Sequence, residues 1–292
     1  MRVDVRTAVI PMAGPCDRFL PATRTVPHAL LPVLDTPLIQ FALDEARAAG
    51  AERIVLVARP DDVALHDYVA GATLVDRLAA SGRVGAAARI EAMRLDADIA
   101  FAPQAEALGL GHAVLQAAPH VLPGPVAVIL PDDLFLGEPA LPELVERYQR
   151  TGAGHMVAIA GVAAEAASRY GVLDPLGRLH DGVVRAVGLV EKPPAGDAPS
   201  TLAVAGRYVL HPGVFADLRA LRPARGAPLE LSHAIARGID RVGLAGSLAS
   251  GRWFDCSTPD GLLDAAVALR RHRRRAGLTL AAATAEPALA AE

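Results

Sequence analysis

Short apolar runs alternate with segments of helical periodicity through the first half of the chain. The predicted strands are residues 8–11, 53–58, 99–101 and 126–130. Residues 38–49 and 111–118 have the spacing of helices, and a polar, alanine-rich helical region lies between the second and third strands. Repeated strand, helix and strand predict an α/β fold with a Rossmann-like mixed, mostly parallel sheet flanked by helices.

The second half has a less regular pattern. Its strand candidates are residues 155–162, 183–194 and 202–212, and residues 263–275 have the pattern of a terminal helix. Because no linker rich in glycine, proline and serine divides the chain, we predict one domain of two lobes over residues 1–275. The low complexity of residues 276–292 predicts a flexible tail.

Composition and charge narrow the class of ligand. The chain has 292 residues, 52% of them apolar, and a formal net charge of −3. No broad basic field is available for nucleic acid, so a polyanion must be held by a few placed cations, which favours a small phosphorylated ligand. The basic run at residues 270–275 is interpreted as the solvated end of the terminal helix.

The two cysteines and the hydropathy of the chain indicate the cellular compartment of the protein. Cys16 and Cys256 are far apart and have no paired Cys or His spacing, so neither a disulfide framework nor a zinc site is expected. No apolar run approaches the roughly 20 residues of a membrane span, and no signal peptide is expected. These features predict a protein of the reducing cytoplasm that binds no membrane.

Carboxylates follow two of the predicted strands, where ligands of α/β sheets bind. Asp132 and Asp133 come after the strand at residues 126–130, and Asp255 follows an aromatic strand. Separated carboxylates that share a hard cation such as Mg²⁺ are one interpretation. Adjacent acids at a strand end are also common as plain loop residues, so the residues alone leave both interpretations open.

Three cations are candidates for binding phosphate. Lys192 is held before two prolines that stiffen the backbone, and Arg18 and Arg24 flank the opening loop. A guanidinium binds phosphate through two parallel hydrogen bonds. The alternative for all three is a solvated side chain at a turn.

Glycines mark two places where backbone could approach a ligand closely. Gly14 follows the first strand, but the loop continues with Pro15 instead of further glycine. Gly109 and Gly111 precede a predicted helix, where a flat ring or an anion could approach. Helices often start after glycine, and His112 beside them is more commonly a capping or packed histidine than a catalyst.

A collinear series of motifs extends this interpretation. Over roughly residues 6–270 the chain strongly resembles the bacterial UTP:glucose-1-phosphate uridylyltransferase family, through AVIPMAG, RFLPATRTVP, LGLGHAV, LPDDL, SRYGVLD, VEKPP, LAVAGRYVL and FDC. The resemblance implies a nucleotide-diphospho-sugar transferase of the glycosyltransferase-A type. It also implies Mg²⁺-dependent formation of UDP-glucose and pyrophosphate from UTP and glucose 1-phosphate, and a homo-oligomer.

The resemblance assigns roles on the nucleotide side of the site. Ala13 and Gly14 would lie beside the uracil and ribose. Gln104 and Gly109 would contact the uracil edge. Arg18 would face the departing pyrophosphate.

The resemblance assigns further roles on the sugar side, in the second lobe. The implied sugar-binding residues are Gly171, Glu191 and Gly206. Glu191 would accept hydrogen bonds from the glucose hydroxyls, and Lys192 would bind the sugar phosphate. Asp132 and Asp255 would hold Mg²⁺.

The opening loop departs from the family pattern G-L-G-T-R, which is followed by a lysine after T-V-P. Here Pro15 removes a backbone donor, Cys16 replaces a glycine, Asp17 adds a carboxylate, and His28 replaces the lysine. An unperturbed histidine is mostly neutral near pH 7. Each change is expected to weaken the binding of a triphosphate.

A second group of departures lies nearer the C-terminus. The family segment GEIQLTDAI appears as APLELSHAI at residues 227–235, so Pro228 and His233 replace two carboxylates expected to face the sugar lobe. Ser257 replaces a glycine, whereas Arg24 replaces a lysine and keeps the charge.

Three hypotheses remain open from the sequence. The first is an active uridylyltransferase with reduced activity. The second is a non-catalytic paralogue that regulates or assembles with an active enzyme, because the losses concentrate around the triphosphate. The third is a transferase that uses another nucleotide or another sugar phosphate.

Overall fold

A computed structural model describes residues 4–14, 17–70, 72–93, 97–275 and 277. The predictions for Pro15 and Cys16 concern positions outside these ranges, and so does the predicted tail at residues 276–292 apart from residue 277. Within them the chain alternates strands and helices along its first half, as the apolar pattern predicts. The α/β fold class is therefore confirmed.

Each strand predicted by residue range is present, with bounds that agree to within three residues, and further strands that were not predicted also occur. The strands are β1 (Thr7–Pro11), β2 (Pro32–Val33), β3 (Thr36–Pro37), β4 (Arg53–Ala58), β5 (Asp98–Pro103), β6 (Val126–Ile129), β7 (Asp133–Leu136), β8 (His155–Gly161), β9 (Gly171–His180), β10 (Val183–Glu191), β11 (Leu202–Leu210), β12 (Leu244–Leu248) and β13 (Arg252–Asp255).

The helices lie between these strands. They are α1 (Leu38–Ala48), α2 (Val63–Ala70), α3 (Ala72–Ala80), α4 (Val84–Glu91), α5 (Leu110–Gln116), α6 (Ala140–Thr151), α7 (Val214–Ala220), α8 (Leu231–Val242) and α9 (Pro259–Arg275). Short 3₁₀ helices occur at Asp17–Phe19, Ala22–Arg24, His28–Leu30, Ala118–His120 and Ala164–Arg169. In the described part of the chain, none of the helices is long and apolar enough to cross a membrane.

The main sheet of the described chain has nine strands in the order β5-β4-β1-β6-β11-β8-β12-β10-β9. Strands β5, β4, β1 and β6 pair in parallel, whereas β11 pairs antiparallel with both β6 and β8. Strand β10 is antiparallel to β12 and to β9. Strand β12 pairs in parallel with β8, so the second half of the chain also contributes a parallel pair. The sheet is thus mixed, with four parallel and four antiparallel pairs along this order rather than mostly parallel pairing.

Alternate residues of the central strands face opposite layers of helices. Val9 and Val55 belong to a core with side chains of α5, α7 and α8, and Ile10 and Ile54 to a core with α1 and α6. Because both faces are covered, these strands consist almost entirely of apolar residues. Polar side chains can collect only at the strand ends, which is where the site forms.

His155 at the start of β8 predicts a pH dependence of stability. Its ring is fully buried between His211, Asp217 and Arg241, and burial lowers its pKa to about 4. The unfolded state binds more protons between that value and about 6.5. The contribution of His155 to the free energy of unfolding is therefore fully present above pH 6.5. Up to about 3 kcal/mol of that free energy is lost as the pH falls to 4.

Urea unfolding at pH 7 and pH 4.5 measures this loss. His155→Gln, which removes the titrating ring, should reduce the difference between the two pH values. Equal pH dependence in both proteins would show that His155 does not cause it.

Candidate active site

Three cavities meet at Asp132, in the turn between β6 and β7. We call them the glycine cavity, the loop cavity and the acidic cavity. The glycine cavity is lined by Pro11, Ala13, Gly14, Gln104, Ala107, Gly109, Leu110, Ala113, Leu130, Asp132 and Pro228. The loop cavity is lined by Pro11, Met12, Gly14, Asp17, Arg18, His28, Ala29, Pro131, Asp132 and Ser257.

The acidic cavity extends from Asp132 toward β9, β10 and the start of α8. Five carboxylates line it: Asp132, Asp133, Glu191, Glu230 and Asp255. Its basic residues are Arg18, Arg169 and Lys192. The contiguous path through the three cavities can hold an extended ligand whose middle lies beside Asp132.

The glycine cavity collects the four residues predicted on the nucleotide side: Ala13, Gly14, Gln104 and Gly109. Gln104 is buried and donates its amide Nε2 to His112 Nδ1 at 2.8 Å, which leaves its amide oxygen as an acceptor. Gly109 has φ of +102°, and a Cβ there would lie 2.6 Å from Leu229 O. Glycine is therefore required by packing, and His112 is a packed histidine that orients Gln104.

The described wall of the loop cavity carries little positive charge. Arg18 is exposed and donates from Nη1 to Ser257 Oγ at 3.1 Å, while Asp17 lines the same cavity. His28 donates from Nε2 to Cys256 O at 3.0 Å. Burial lowers the pKa of His28, so its ring is neutral at pH 7. Arg18 is left as the permanent cation among the described residues of this wall.

Asp132 and Asp133 occupy a buried turn whose backbone is held by Arg207. This arginine donates to three carbonyls, Leu130 O at 2.9 Å, Asp133 O at 2.7 Å and Gly206 O at 3.2 Å. Its Nη2 also lies 2.8 Å from Glu45 Oε2, and both side chains of the pair are buried. An ion pair beneath the sheet end therefore positions both aspartates.

Burial and mutual repulsion perturb these aspartates. Burial raises the pKa of Asp132, and the nearby charge of Asp255 raises it further, whereas His28 lowers it. Burial also raises the pKa of Asp133 well above its ordinary value, even though Asp133 Oδ1 accepts a 2.6 Å hydrogen bond from Trp253 Nε1. Two carboxylates that repel each other on one cavity wall are suited to share a cation.

Asp255 accepts hydrogen bonds on both oxygens. Oδ2 accepts from Arg169 Nη2 at 2.7 Å and from Tyr170 Oη at 2.9 Å. Oδ1 accepts from the backbone N of Ser257 at 3.1 Å and from its hydroxyl at 2.6 Å. Since the same hydroxyl accepts from Arg18, Ser257 connects the loop cavity to Asp255.

The carboxylates of Asp132 and Asp255 fit Mg²⁺, provided that Asp255 gives up one of its present hydrogen bonds. Asp132 and Asp255 supply hard oxygens on one wall, and their repulsion is the observation that favours a shared cation. Within the described residues no cluster of three or more metal-ligating side chains occurs, so phosphate oxygens and water would complete the coordination. Asp255 would have to exchange one of its present donors for the metal.

The structure brings together three of the four residues predicted to contact the sugar phosphate substrate. Gly171, Glu191 and Lys192 line the acidic cavity together, and Lys192 Nζ lies 3.5 Å from Glu191 Oε1. Gly206 instead lies beneath Asp133, where a Cβ would overlap the aspartate side chain. It is buried in β11 and is not among the residues that line the three cavities described above. Its role is to let Asp133 approach the sheet.

The two positions where carboxylates were expected to be lost from the sugar lobe lie elsewhere. Pro228 lines the glycine cavity, and His233 is exposed on the outer face of α8. Neither position lines the acidic cavity, because the chain passes from one cavity to the next within this segment. Glu230 and Ser232, between them, do line the acidic cavity.

Several other residues that line the acidic cavity were not predicted from the sequence. They are Ser168, Arg169, Tyr170, Tyr208, Glu230 and Ser232. All six belong to the motifs SRYGVLD, LAVAGRYVL and APLELSHAI, so a closer inspection of each motif could have identified them. Only the fold shows which members of a motif face the cavity.

Comparisons with known proteins agree with this geometry. The family model described as nucleotidyl transferase matches residues 7–272. A UTP–glucose-1-phosphate uridylyltransferase from Komagataeibacter xylinus is 39% identical over 257 residues, which cover 87% of this chain and 90% of that protein. One from Bacillus subtilis is 37% identical over 236 residues and covers 79% of each chain.

A solved structure shares the fold over nearly the whole chain. The crystal structure of a UDP-glucose pyrophosphorylase complexed with UDP-glucose has a TM-score of 0.82 and 32% sequence identity. The match covers 92% of this chain and 100% of that one.

Proposed function

Because this chain belongs to the nucleotidyl transferase family, among the UTP–glucose-1-phosphate uridylyltransferases, we propose that it converts UTP and glucose 1-phosphate to UDP-glucose and pyrophosphate. The observation that carries the proposal is the meeting of three cavities at Asp132. A nucleotide base fits the glycine cavity, its outer phosphates the loop cavity, and the sugar the acidic cavity. The reacting phosphorus then lies beside the aspartates.

The chemistry needs alignment more than proton transfer. A phosphate oxygen of glucose 1-phosphate attacks the α-phosphorus of UTP, the new O–P bond forms, and the bond to the departing pyrophosphate breaks. The second pKa of a phosphate monoester is about 6, so the attacking oxygen is already ionised near neutral pH. Catalysis therefore depends on orientation and on neutralising negative charge.

Different side chains bind the base, the pyrophosphate and the sugar phosphate. Gln104 offers its amide oxygen to a ring N–H of the base, and Arg18 faces the pyrophosphate. Lys192 binds the phosphate of the sugar substrate, and Glu191 accepts from sugar hydroxyls. Lys192 has φ of +42°, an unusual value for lysine, and its backbone N donates to Tyr170 O at 3.1 Å. The strained turn places it at the cavity mouth.

We further propose that Asp132 and Asp255 hold Mg²⁺ when substrates bind. Bound there, the cation supplies charge neutralisation for the phosphates. Arg207 and Glu45 position Asp132, while Arg169, Tyr170 and Ser257 orient Asp255. The homo-oligomer and the cytoplasmic location stay predictions.

The named relatives favour the active enzyme over a non-catalytic paralogue, and the loop cavity accounts for an expected reduction in rate. His28 is neutral and bonded to Cys256 O, and Asp17 opposes the charge of Arg18. These features reduce charge neutralisation and leave the base and sugar sides intact. A preference for another nucleotide is tested by replacing UTP with TTP or ATP in the same assay.

Replacing His28 with lysine is expected to raise kcat/KM for UTP roughly 10-fold to 100-fold. The reason is one added charge-assisted contact to phosphate, worth about 1.5–3 kcal/mol. Pyrophosphate release from UTP and glucose 1-phosphate with Mg²⁺ measures it. His180→Lys makes the same change on a side chain that is 90% exposed on the β9–β10 hairpin and should have no comparable effect.

Two outcomes of this assay would contradict the proposal. Tight UTP binding by the native chain without turnover would support the non-catalytic paralogue. A His28→Lys variant no faster than His180→Lys would show that position 28 does not limit phosphate binding.

A further inference from the structure

We propose that the acidic cavity accepts amino-sugar 1-phosphates, in which an ammonium group replaces a sugar hydroxyl, and that Glu230 selects them. The inference rests on the proposed function, because it takes the acidic cavity to be the place where the sugar binds. It extends that function to a second class of sugar substrate, distinguished from glucose 1-phosphate by its positive charge.

Two glutamates face the sugar space from different elements. Glu191 ends β10, and Glu230 immediately precedes α8; both are half-buried and line the acidic cavity. They interact electrostatically: burial raises the pKa of Glu230, and the charge of Glu191 raises it further. The cavity therefore places two carboxylates together where one would serve a neutral sugar.

Glu230 is not used to stabilise its own helix. It occupies the N-cap position of α8, and its side chain makes no capping hydrogen bond to the described backbone of that helix. An N-cap side chain normally satisfies one of the free N–H groups of the first turn. The Glu230 carboxylate is thus available to a ligand.

Lys192 compensates these glutamates in the ligand-free cavity: it pairs with Glu191, and its charge, together with that of His233, lowers the pKa of Glu230. Arg169 pairs with Asp255 at 2.7 Å, and Arg18 bonds to Ser257 at 3.1 Å. Lys192 lies 3.5 Å from Glu191 Oε1, and its side chain is 61% exposed. Once Lys192 binds the sugar phosphate, the glutamates need another cation, which an ammonium group on the sugar provides.

An unpartnered hydroxyl is the independent observation that points to a ligand. Ser232 is only 4% exposed and lines the same cavity, yet its Oγ has no hydrogen-bond partner among the residues that the structure describes. Buried hydroxyls are normally paired, so a missing partner indicates a group supplied from outside. An ammonium has three donors, matching Glu191, Glu230 and Ser232, whereas a sugar hydroxyl has one.

The comparison of this segment with the family pattern agrees with a change of sugar specificity at position 230. Where the family segment GEIQLTDAI has glutamine, this chain has Glu230. Glutamine both donates and accepts hydrogen bonds and carries no charge, whereas an ionised glutamate only accepts. The substitution removes a donor suited to a hydroxyl and adds a charge suited to an ammonium group.

The test compares kcat/KM for glucosamine 1-phosphate and glucose 1-phosphate, with UTP and Mg²⁺, in the native chain and in Glu230→Gln. The ratio of amino sugar to glucose should fall about tenfold in the variant, because a charge-assisted hydrogen bond is roughly twice as strong as a neutral one. The 3-amino, 4-amino and 6-amino analogues complete the panel. Glu165→Gln, an exposed residue outside the cavity, is the matched control.

Two results would overturn the inference while leaving the proposed function intact. One is turnover of glucose 1-phosphate with none of the amino sugars. The other is a Glu230→Gln ratio equal to that of the native chain and the control. Failure with every sugar phosphate would instead contradict the proposed function.

A binding measurement decides the inference without turnover. Calorimetric titration with UDP-glucosamine and UDP-glucose should show preferential loss of UDP-glucosamine affinity in Glu230→Gln and a smaller loss in Ser232→Ala. Equal affinities in native and variant chains would overturn the inference. Thermal melting of each variant verifies that it is folded.

Discussion

Replacing Arg207 with methionine is expected to lower the free energy of unfolding by about 3–5 kcal/mol. The guanidinium is 1% exposed, and its partner Glu45 is 6% exposed, so the variant leaves a carboxylate buried without its cation. The carbonyls of Leu130, Asp133 and Gly206 lose the guanidinium donor as well, and of the three only Leu130 O and Gly206 O keep a backbone donor among the described residues. Urea denaturation at pH 7 measures the loss.

A second variant separates the charge from the hydrogen bonds. Arg207→Met combined with Glu45→Gln removes both charges, while the glutamine oxygen can still accept from Leu141 N, which now donates to Glu45 Oε1 at 2.6 Å. It should recover much of the stability but little activity, because Asp133 O stays without its donor and no guanidinium holds the turn that carries Asp132. A change below 1 kcal/mol in the single variant would contradict the role given to this pair.

Asp132→Asn is expected to reduce kcat by about 10²-fold to 10³-fold, comparable to removing one preorganised charge-stabilising group from an active site. Asp132 is the residue shared by all three cavities, and a cation bound there would offset the burial and the repulsion from Asp255 that raise its pKa. The substitution keeps the shape and removes the charge. Rapid-quench measurement of UDP-glucose formation gives kcat.

The matched control removes the same charge from a nearby aspartate, where no loss of rate is expected. Asp17 is exposed on the wall of the loop cavity, so Asp17→Asn should leave the rate unchanged or raise it. Binding of Mn²⁺, followed by electron paramagnetic resonance, adds a measurement independent of turnover. Unchanged Mn²⁺ affinity and rate in Asp132→Asn would contradict the assignment of this residue.

The regular part of the fold could be predicted because its strands are buried on both faces. Strand β4 lies at residues 53–58 as predicted. A short continuous apolar run is typical of a strand that is buried on both faces of a sheet. Strand β9 was not predicted. Pro175 and Gly177 interrupt it, and its outer half is exposed, so no apolar alternation marks it.

The candidate site shows a similar division between local and long-range information. Ala13, Gly14, Gln104 and Gly109 could be predicted because the motif order fixes the strand ends that carry them. Gly206 could not, because its contact with Asp133 joins positions far apart in sequence. The same holds for Ser257, whose hydroxyl connects Arg18 with Asp255 only in the folded chain.

The opening loop accordingly keeps part of a phosphate site. Ala13 and Gly14 line the glycine cavity, Arg18 is retained, and the neutral ring of His28 is bonded to Cys256 O. Each loss is of a size that slows transfer without abolishing it. The acidic cavity, in contrast, carries more negative charge than a site for a neutral sugar requires.

Quantifying both products of the native chain tests the central claim most directly. The protein is incubated with UTP, glucose 1-phosphate and Mg²⁺, and UDP-glucose and pyrophosphate are measured by chromatography over time. We predict that both form in equal molar amounts and that omitting either substrate abolishes both. Saturable UTP binding with formation of neither product would contradict the account.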